Sequence, residues 1–340
     1  MSEGDANALG DFLPCLRRFA TSNEEAPLAI AILDAHFRFV HRNRRLREMM
    51  DLYEYPADRP FLESFSRSMP SSEISGFRTA LTDPSTGHSW KGEIDHWTPE
   101  TLRVSTVVRA LPFFAPVTGG KKPVAFFLYF DDVTKQRKLD LRRILQALLK
   151  ASLLKDKETG LHVERVNSYA GKMAQAIWRD ARFPRVDAEF IEEIGFLASM
   201  HDVGKIGVRD DILNKEGPLL EGEWDEMRQH TINGGILLHS IYPNPMAREI
   251  ALSHHERWNG KGYPYNLLDR MIPLAARVVT IADVYDALRM RRSYKPPFTH
   301  EEAAASIRRE SGMLFDPDLV DVFLELEDEF ERIYDSRADS

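Results

Sequence analysis

The hydrophobic pattern of this chain changes period at residue 135, and no other feature constrains its fold as strongly. Upstream, apolar residues fall in short alternating runs broken by turn formers. Downstream, they recur at helical spacing between proline and glycine stops. Such a pattern predicts an α+β N-terminal half, an antiparallel sheet with short helices, followed by an all-α helical bundle.

The upstream runs are LAIAILD (28–34) and HFRFVHRN (36–43), then WKGEIDHW (90–97), TLRVSTVVRALPFF (101–114) and PVAFFLYFDDVT (123–134). Short helices fill the interval to residue 82, punctuated by Pro56, Pro60 and Pro70. Turn residues join the last three runs, which makes them a meander. Residues 1–21 are expected to be a leader without assigned function. From 135 to 155, Leu141, Leu145, Leu148 and Ser152 stand at near-heptad spacing. That spacing suits a dimeric signalling helix or a single helix packed on the following domain. Beyond Gly160, helices are predicted over 162–178, 187–204, 221–239, 245–258, 274–290, 300–311 and 317–334.

A length of 340 residues suits two domains, each with its own core. The longest apolar run, Val124 to Phe130, falls far short of the roughly twenty residues that span a bilayer, and the N-terminus lacks a signal-peptide pattern. A cytoplasmic protein without a membrane partner is expected. The single cysteine, Cys15, excludes an internal disulfide and a thiolate cluster, so a bound metal must use imidazole and carboxylate. A net charge of −8 argues against binding a nucleic acid polymer. Between Arg257 and Lys295, however, eight basic residues face three acidic ones, which favours a small anionic substrate.

Seven of the eleven histidines lie between 162 and 300. His201-Asp202 closes a predicted helix, and such a dipeptide can give one metal an imidazole while its carboxylate bridges to a second. His230, His254 and His255 lie on or at the end of predicted helices. Asp283 interrupts an apolar helix, where a carboxylate needs a partner that a metal would supply. Asp286, one turn on, is placed to orient a ligand or to pair with a base. Tyr263 follows Gly260 and Gly262 and precedes Pro264, in a turn where it either stacks on a base or packs locally. His239 and His300 read as ordinary helix residues.

Two family resemblances follow from these stretches. The opening AIAILDAHFRFVHRN, the WKGEI of the third strand and the closing FDDVTKQRK resemble a PAS sensory domain over residues 22–134. Its ligand is left open; His36, His41, His88 and His96 read as surface or core residues rather than haem ligands. The resemblance implies a possible homodimer through this domain and the 135–155 helix. Within a domain expected over 156–340, the segments RV (165–166), HDVGKIGV (201–208), ILNKEGPL (212–219), HTINGG (230–235), HHERWNGKGYP (254–264), IADVYDAL (281–288), RSYK (292–295) and FDP (315–317) resemble, from about residue 155 to 320, the HD-GYP branch of the HD metal-dependent phosphohydrolases.

That resemblance implies hydrolysis of cyclic di-GMP to pGpG and onward to GMP. It implies His201, Asp202, His230, His254, His255 and Asp283 as ligands of two metals, with Asp202 bridging. It further implies Lys205 on the scissile phosphate, with His201, Asp202 and Lys205 as the catalytic group, and Gly262, Tyr263, Pro264, Arg292 and Lys295 around the substrate. Glu158, four residues before His162, resembles the extra pair that holds a third metal. Two or three divalent ions are therefore expected, iron first and manganese second, with no organic cofactor in this domain. Two rival assignments keep the same residues: an oxygen-activating di-iron enzyme, and a catalytically silent dinucleotide-binding protein.

Overall fold

A computed structural model of the chain describes residues 14, 18–97, 103–114, 123–156, 160–242, 244–290 and 296–337. The chain divides into two compact units at Leu139 and Asp140.

The first unit is built on strands β1 (Ala29–Asp34) and β2 (Phe39–Arg42), helices α1 (Arg44–Leu52), α2 (Phe61–Ser64) and α3 (Ser71–Thr82), and strands β3 (Trp90–Trp97), β4 (Arg103–Phe114) and β5 (Pro123–Asp132). The strands form one sheet in the order β2-β1-β5-β4-β3, with every pair antiparallel. The last three strands make the expected meander, and the first hairpin returns to pair with β5. This is the α+β arrangement of an antiparallel sheet with short helices anticipated from sequence.

Asn43 ties the hairpin to the first helix. Its side chain is fully buried and accepts from the backbone N–H of Ile30 (2.9 Å) and of Leu46 (3.1 Å), capping α1, while donating to the Leu28 carbonyl (2.8 Å). A buried amide is tolerated here because its polar atoms are used. Over the sheet face made by Leu33, Val108, Leu128 and Phe130 lie Phe61, Phe65 and Phe77 from the short helices. His96 is buried among them, hydrogen-bonded to the Tyr55 hydroxyl (2.7 Å) and to Thr106 Oγ1 (3.0 Å). His88 donates to the Leu81 carbonyl (2.8 Å), and His41 faces Glu24 (3.5 Å).

The second unit is helical. The described helices are α4 (Thr134–Leu153), which begins in the first unit, then α5 (Gly160–Ile177), α6 (Ala188–Leu197), α7 (Asp210–Leu213), α8 (Glu221–Ile241), α9 (Pro245–Ser253), α10 (Leu274–Arg289), α11 (His300–Arg309), α12 (Pro317–Glu325) and α13 (Glu327–Ser336). Several starts carry explicit stop-and-start chemistry. Asp187 caps α6 through Phe190 N (2.8 Å), Asn244 caps α9 ahead of Pro245, and Thr299 with Glu302 forms a capping box on α11. The core runs from α5 to α10 and α13, where Tyr169 stacks on Phe330 with centroids 4.4 Å apart.

Three predicted helices are shorter than their apolar period suggests. The 187–204 helix stops at Leu197 and gives way to two 3-10 turns, Ala198–Met200 and Val203–Gly207. The second of these turns brings Gly204 so close to α8 that a Cβ would sit 1.9 Å from the His230 carbonyl oxygen. The 245–258 helix ends at Ser253, because the Glu256 carboxylate draws the chain into a loop by accepting from Tyr265 N (2.7 Å) and Leu267 N (3.0 Å). The 317–334 helix breaks at Leu326, and the break lets Phe330 turn back into the aromatic core.

Candidate metal centre

Five segments deliver the imidazoles and carboxylates. α5 carries His162 in its first turn, the turn between the two 3-10 segments carries His201 and Asp202, α8 carries His230, the residues just past α9 are His254 and His255, and α10 carries Asp283. These side chains form two groups in which the donor atoms lie within 4.8 Å of one another: Asp202, His230, His254 and His255 in one, His162, His201 and Asp283 in the other. His201 and Asp202 are consecutive residues and belong to different groups. Asp202 Oδ2 stands 3.1 Å from His201 Nε2, while its Oδ1 stands 3.2 Å from His230 Nε2 and 3.6 Å from His254 Nε2. Across the other group, Asp283 Oδ1 lies 3.6 Å from His162 Nε2 and 3.9 Å from His201 Nε2.

The orientation of four rings is fixed from behind. His201 Nδ1 donates to the Ala198 carbonyl (2.8 Å), His230 Nδ1 to that of Met227 (2.7 Å) and His254 Nδ1 to those of Ile250 and Ala251 (both 3.1 Å). His162 Nδ1 instead faces a carboxylate, Asp286 Oδ2 (2.8 Å). A carbonyl only accepts, so the three backbone-bound rings carry their proton on Nδ1 and turn a lone pair on Nε2 toward the centre. Lone pairs facing carboxylate oxygens repel one another unless a cation lies between them. The buried Asp202 Oδ1 fits that need, since it receives no hydrogen bond.

Electrostatics agree with neutral rings around an ionised carboxylate. Burial lowers His230 to about 4 and takes His255 well below its ordinary value. Burial alone would raise the Asp202 carboxyl, but the Lys205 ammonium beside it holds it well below the usual carboxylate range. Nitrogen and oxygen donors of this kind suit divalent cations of the first transition row.

Behind His162 stands a residue pair that the sequence only hinted at. Asp286 and Arg165 are both fully buried and meet in a fork, Nε to Oδ1 at 2.7 Å and a terminal nitrogen to Oδ2 at 2.9 Å. Asp286 thus both orients a histidine and pairs with a base. Arg165 lies one helical turn past His162, and that spacing inside an apolar helix was the available signal. It also donates to the Arg337 carbonyl (2.8 Å) and lies over the Tyr334 ring, which ties the end of α13 to the same spot.

Lys205 stands at the rim of the centre, with Nζ 2.9 Å from Asp202 and 2.9 Å from Asp156. The Tyr263 ring stacks on His255, with centroids 4.7 Å apart, and Arg228 lies over the same ring. Gly262 is required by space rather than by a left-handed turn: a Cβ there would come within 2.3 Å of Arg257 N. Pro264 follows in a cis peptide bond. A cavity of about 350 Å³ opens beside His254, His255 and Asp283, walled by Val284, Leu288, Phe298 and Leu314, with Arg257 and Thr280 as its polar members. Glu158, Arg292 and Lys295 lie outside the described residues. His239 is exposed on α8, whereas His300 is buried and hydrogen-bonded to the Tyr285 hydroxyl (2.9 Å).

The family model for the HD domain matches residues 153–319. A cyclic di-GMP phosphodiesterase of Thermotoga maritima is 40% identical over 216 residues, covering 63% of this chain and 55% of that protein. A probable cyclic di-GMP phosphodiesterase of Vibrio cholerae is 39% identical over 209 residues, covering 58% and 46%, and a 3'3'-cGAMP-specific phosphodiesterase of the same organism is 37% identical over 200 residues, covering 58% and 37%. The chain spans about half the length of the first two relatives. A crystal structure of a cyclic GMP-AMP specific phosphodiesterase from V. cholerae aligns at a TM-score of 0.45 and 19% identity, over 59% of this chain and 51% of its own. Residues 153–319 belong to the HD domain family, and the motifs they carry place the chain in its HD-GYP branch.

Proposed function

We propose that this chain is a metal-dependent phosphodiesterase that hydrolyses cyclic di-GMP to linear pGpG and onward to GMP, under the control of its PAS-like unit. The observation that carries the proposal is the division of the donors into two adjacent groups joined by the His201-Asp202 peptide. His201, His230, His254, His255, Asp283 and the bridging Asp202 would hold two divalent ions, iron first and manganese second, and Glu158 with His162 a third. When bound, such ions activate water for in-line attack and neutralise charge on the phosphate.

The chain's own residues supply the remainder. Asp202 keeps a negative charge facing both groups, and the backbone-locked imidazoles keep their lone pairs turned to them, His201 in one group and His230 and His254 in the other. Lys205 offers an ammonium to the non-bridging oxygens of the scissile phosphate, where negative charge grows. The second phosphate of a cyclic dinucleotide would meet Arg292 and Lys295, and Gly262, Tyr263 and Pro264 would border a base. The names of the relatives include both cyclic di-GMP and 3'3'-cGAMP, so selection between them is settled by assay rather than by ancestry.

The proposed organisation is a leader (1–21), a sensor (22–134), a connecting helix (135–155) and the phosphodiesterase domain (156–340), working in the cytoplasm as a homodimer through the sensor and connecting helix. No described helix is long and apolar enough to cross a membrane. The test is timed product analysis with metal stoichiometry on protein purified without oxygen. Appearance of pGpG before GMP, with loss of turnover in His201→Ala and Asp202→Ala, is expected. Full metal content and full turnover in either variant would overturn the proposal.

A further inference from the structure

The loop that carries Asp202 and Lys205 is held from two sides. On one side it is immovable: Gly204 lies against α8, with no room for a Cβ between it and the His230 carbonyl or Gly234 N (2.4 Å). On the other side it meets the end of α4 and the three residues after it. Ser152 Oγ donates to the Val203 carbonyl (3.4 Å), Lys155 Nζ donates to those of Ile206 (2.9 Å) and Val208, and Asn214 Nδ2 returns a bond to the Lys155 carbonyl (3.3 Å). Lys155 Nζ also lies 3.2 Å from Asp210. Asp156 follows and places its carboxylate 2.9 Å from Lys205 Nζ, with both side chains largely buried.

Among the described residues, two carboxylates lie on Lys205, and they are not equivalent. Asp202 faces both donor groups and is committed there. Asp156 is a member of neither group and belongs to the segment that follows α4. A lysine head on a flexible four-carbon stem takes its position from whatever charge anchors it. Because the backbone beside Lys205 is wedged against α8, the adjustable part of this contact is the carboxylate at the end of α4.

We infer that Asp156 is a positioning residue that aims the Lys205 ammonium at the metal centre, and that the end of α4 sets where this carboxylate stands. The inference rests on the phosphodiesterase proposal for the role of Lys205. It gives the connecting helix a physical point of action: a shift at its end moves one charge beside the phosphate site and leaves the metal donors in place.

The test is the Asp156→Asn variant of the full chain, with Asp156→Glu as rescue, assayed for hydrolysis of cyclic di-GMP. The expected result is a fall in kcat of at least about fivefold, more than one power of ten short of full inactivation, with bound metal and Tm unchanged and partial recovery in Asp156→Glu. In a Lys205→Ala background, Asp156→Asn should add nothing. Unchanged kcat, or an equal loss in the Lys205→Ala background, would overturn the inference. A wild-type chain that hydrolyses no cyclic dinucleotide would sink the functional proposal instead. The Lys205 contact is then read without turnover, by the rate at which an amine-acylating reagent labels Lys205, followed by mass spectrometry. At least a twofold faster labelling in Asp156→Asn is expected, and an unchanged rate overturns it.

Discussion

Replacing Asp286 by alanine tests whether the buried pair behind His162 serves both the fold and the metal. Asp286 and Arg165 are both without solvent exposure, and the carboxylate also accepts from His162 at 2.8 Å when that ring carries its proton on Nδ1. Breaking such a pair leaves Arg165 buried and uncompensated, at a cost of about 3–5 kcal/mol. The helical unit holds about 200 residues, for which each kcal/mol lowers Tm by about 2–4 °C, so a drop of about 6–20 °C is expected. Loss of the acceptor on Nδ1 frees the His162 ring to rotate, and metal affinity should fall about 10- to 100-fold. Calorimetry with metal titration separates the two. In the double variant Arg165→Met with Asp286→Leu, no charge is left stranded, so Tm should return near wild type while metal affinity stays low. A single variant that melts within about 2 °C of wild type, or a double variant with wild-type affinity, would refute this account of the pair.

Other outcomes follow from the same geometry. Gly204→Ala forces a methyl group to within 1.9 Å of the His230 carbonyl oxygen and should cost about 1–3 kcal/mol in denaturant unfolding, with metal binding weakened because His230 moves. A divalent ion supplied at about a hundred times its Kd should stabilise the wild-type chain by about 2.7 kcal/mol, and Asp202→Ala should remove that increment; a rise of equal size in the variant would exclude Asp202 as a ligand. In the sheet unit, burial lowers His96 to about 4. The native state therefore prefers neutral imidazole, and the unfolded chain takes up the proton near pH 6.5. Stability from this group is complete above about 6.5 and declines as pH falls toward 4, by about 3 kcal/mol in all. His96→Gln should flatten that part of the pH profile, as measured by urea unfolding between pH 4 and 7.

Much of the architecture could be read from residues alone because the two halves of the chain have different periods. Strand runs ended at turn formers, and helices began at Asp187, Asn244, Thr299 and Asp316, all with side chains that cap. What could not be read was where close backbone approach overrides the apolar period. Gly204 packs against α8 with no room for a Cβ, and no local signal in the sequence reports that neighbour. The donors of the candidate centre were conspicuous because imidazoles and acids stand in or beside apolar helices. Their division into two groups was not, since it depends on which way adjacent side chains leave the turn at 201–202. Arg165 stood out only as part of the Arg165-Val166 pair that follows the first histidine, with no role attached, and Asp156 gave no sign, being one acid in a charged stretch.

The position of His201 and Asp202 as neighbours in the chain has a further consequence. The spacing between the two donor groups is governed by a peptide unit, whose Cα atoms stand about 3.8 Å apart whatever the helices around them do. Helix packing relaxes with temperature, mutation or signal, whereas a covalent spacer does not. The bundle can therefore flex while His201 and Asp202, one donor from each group, stay within a single peptide unit of each other.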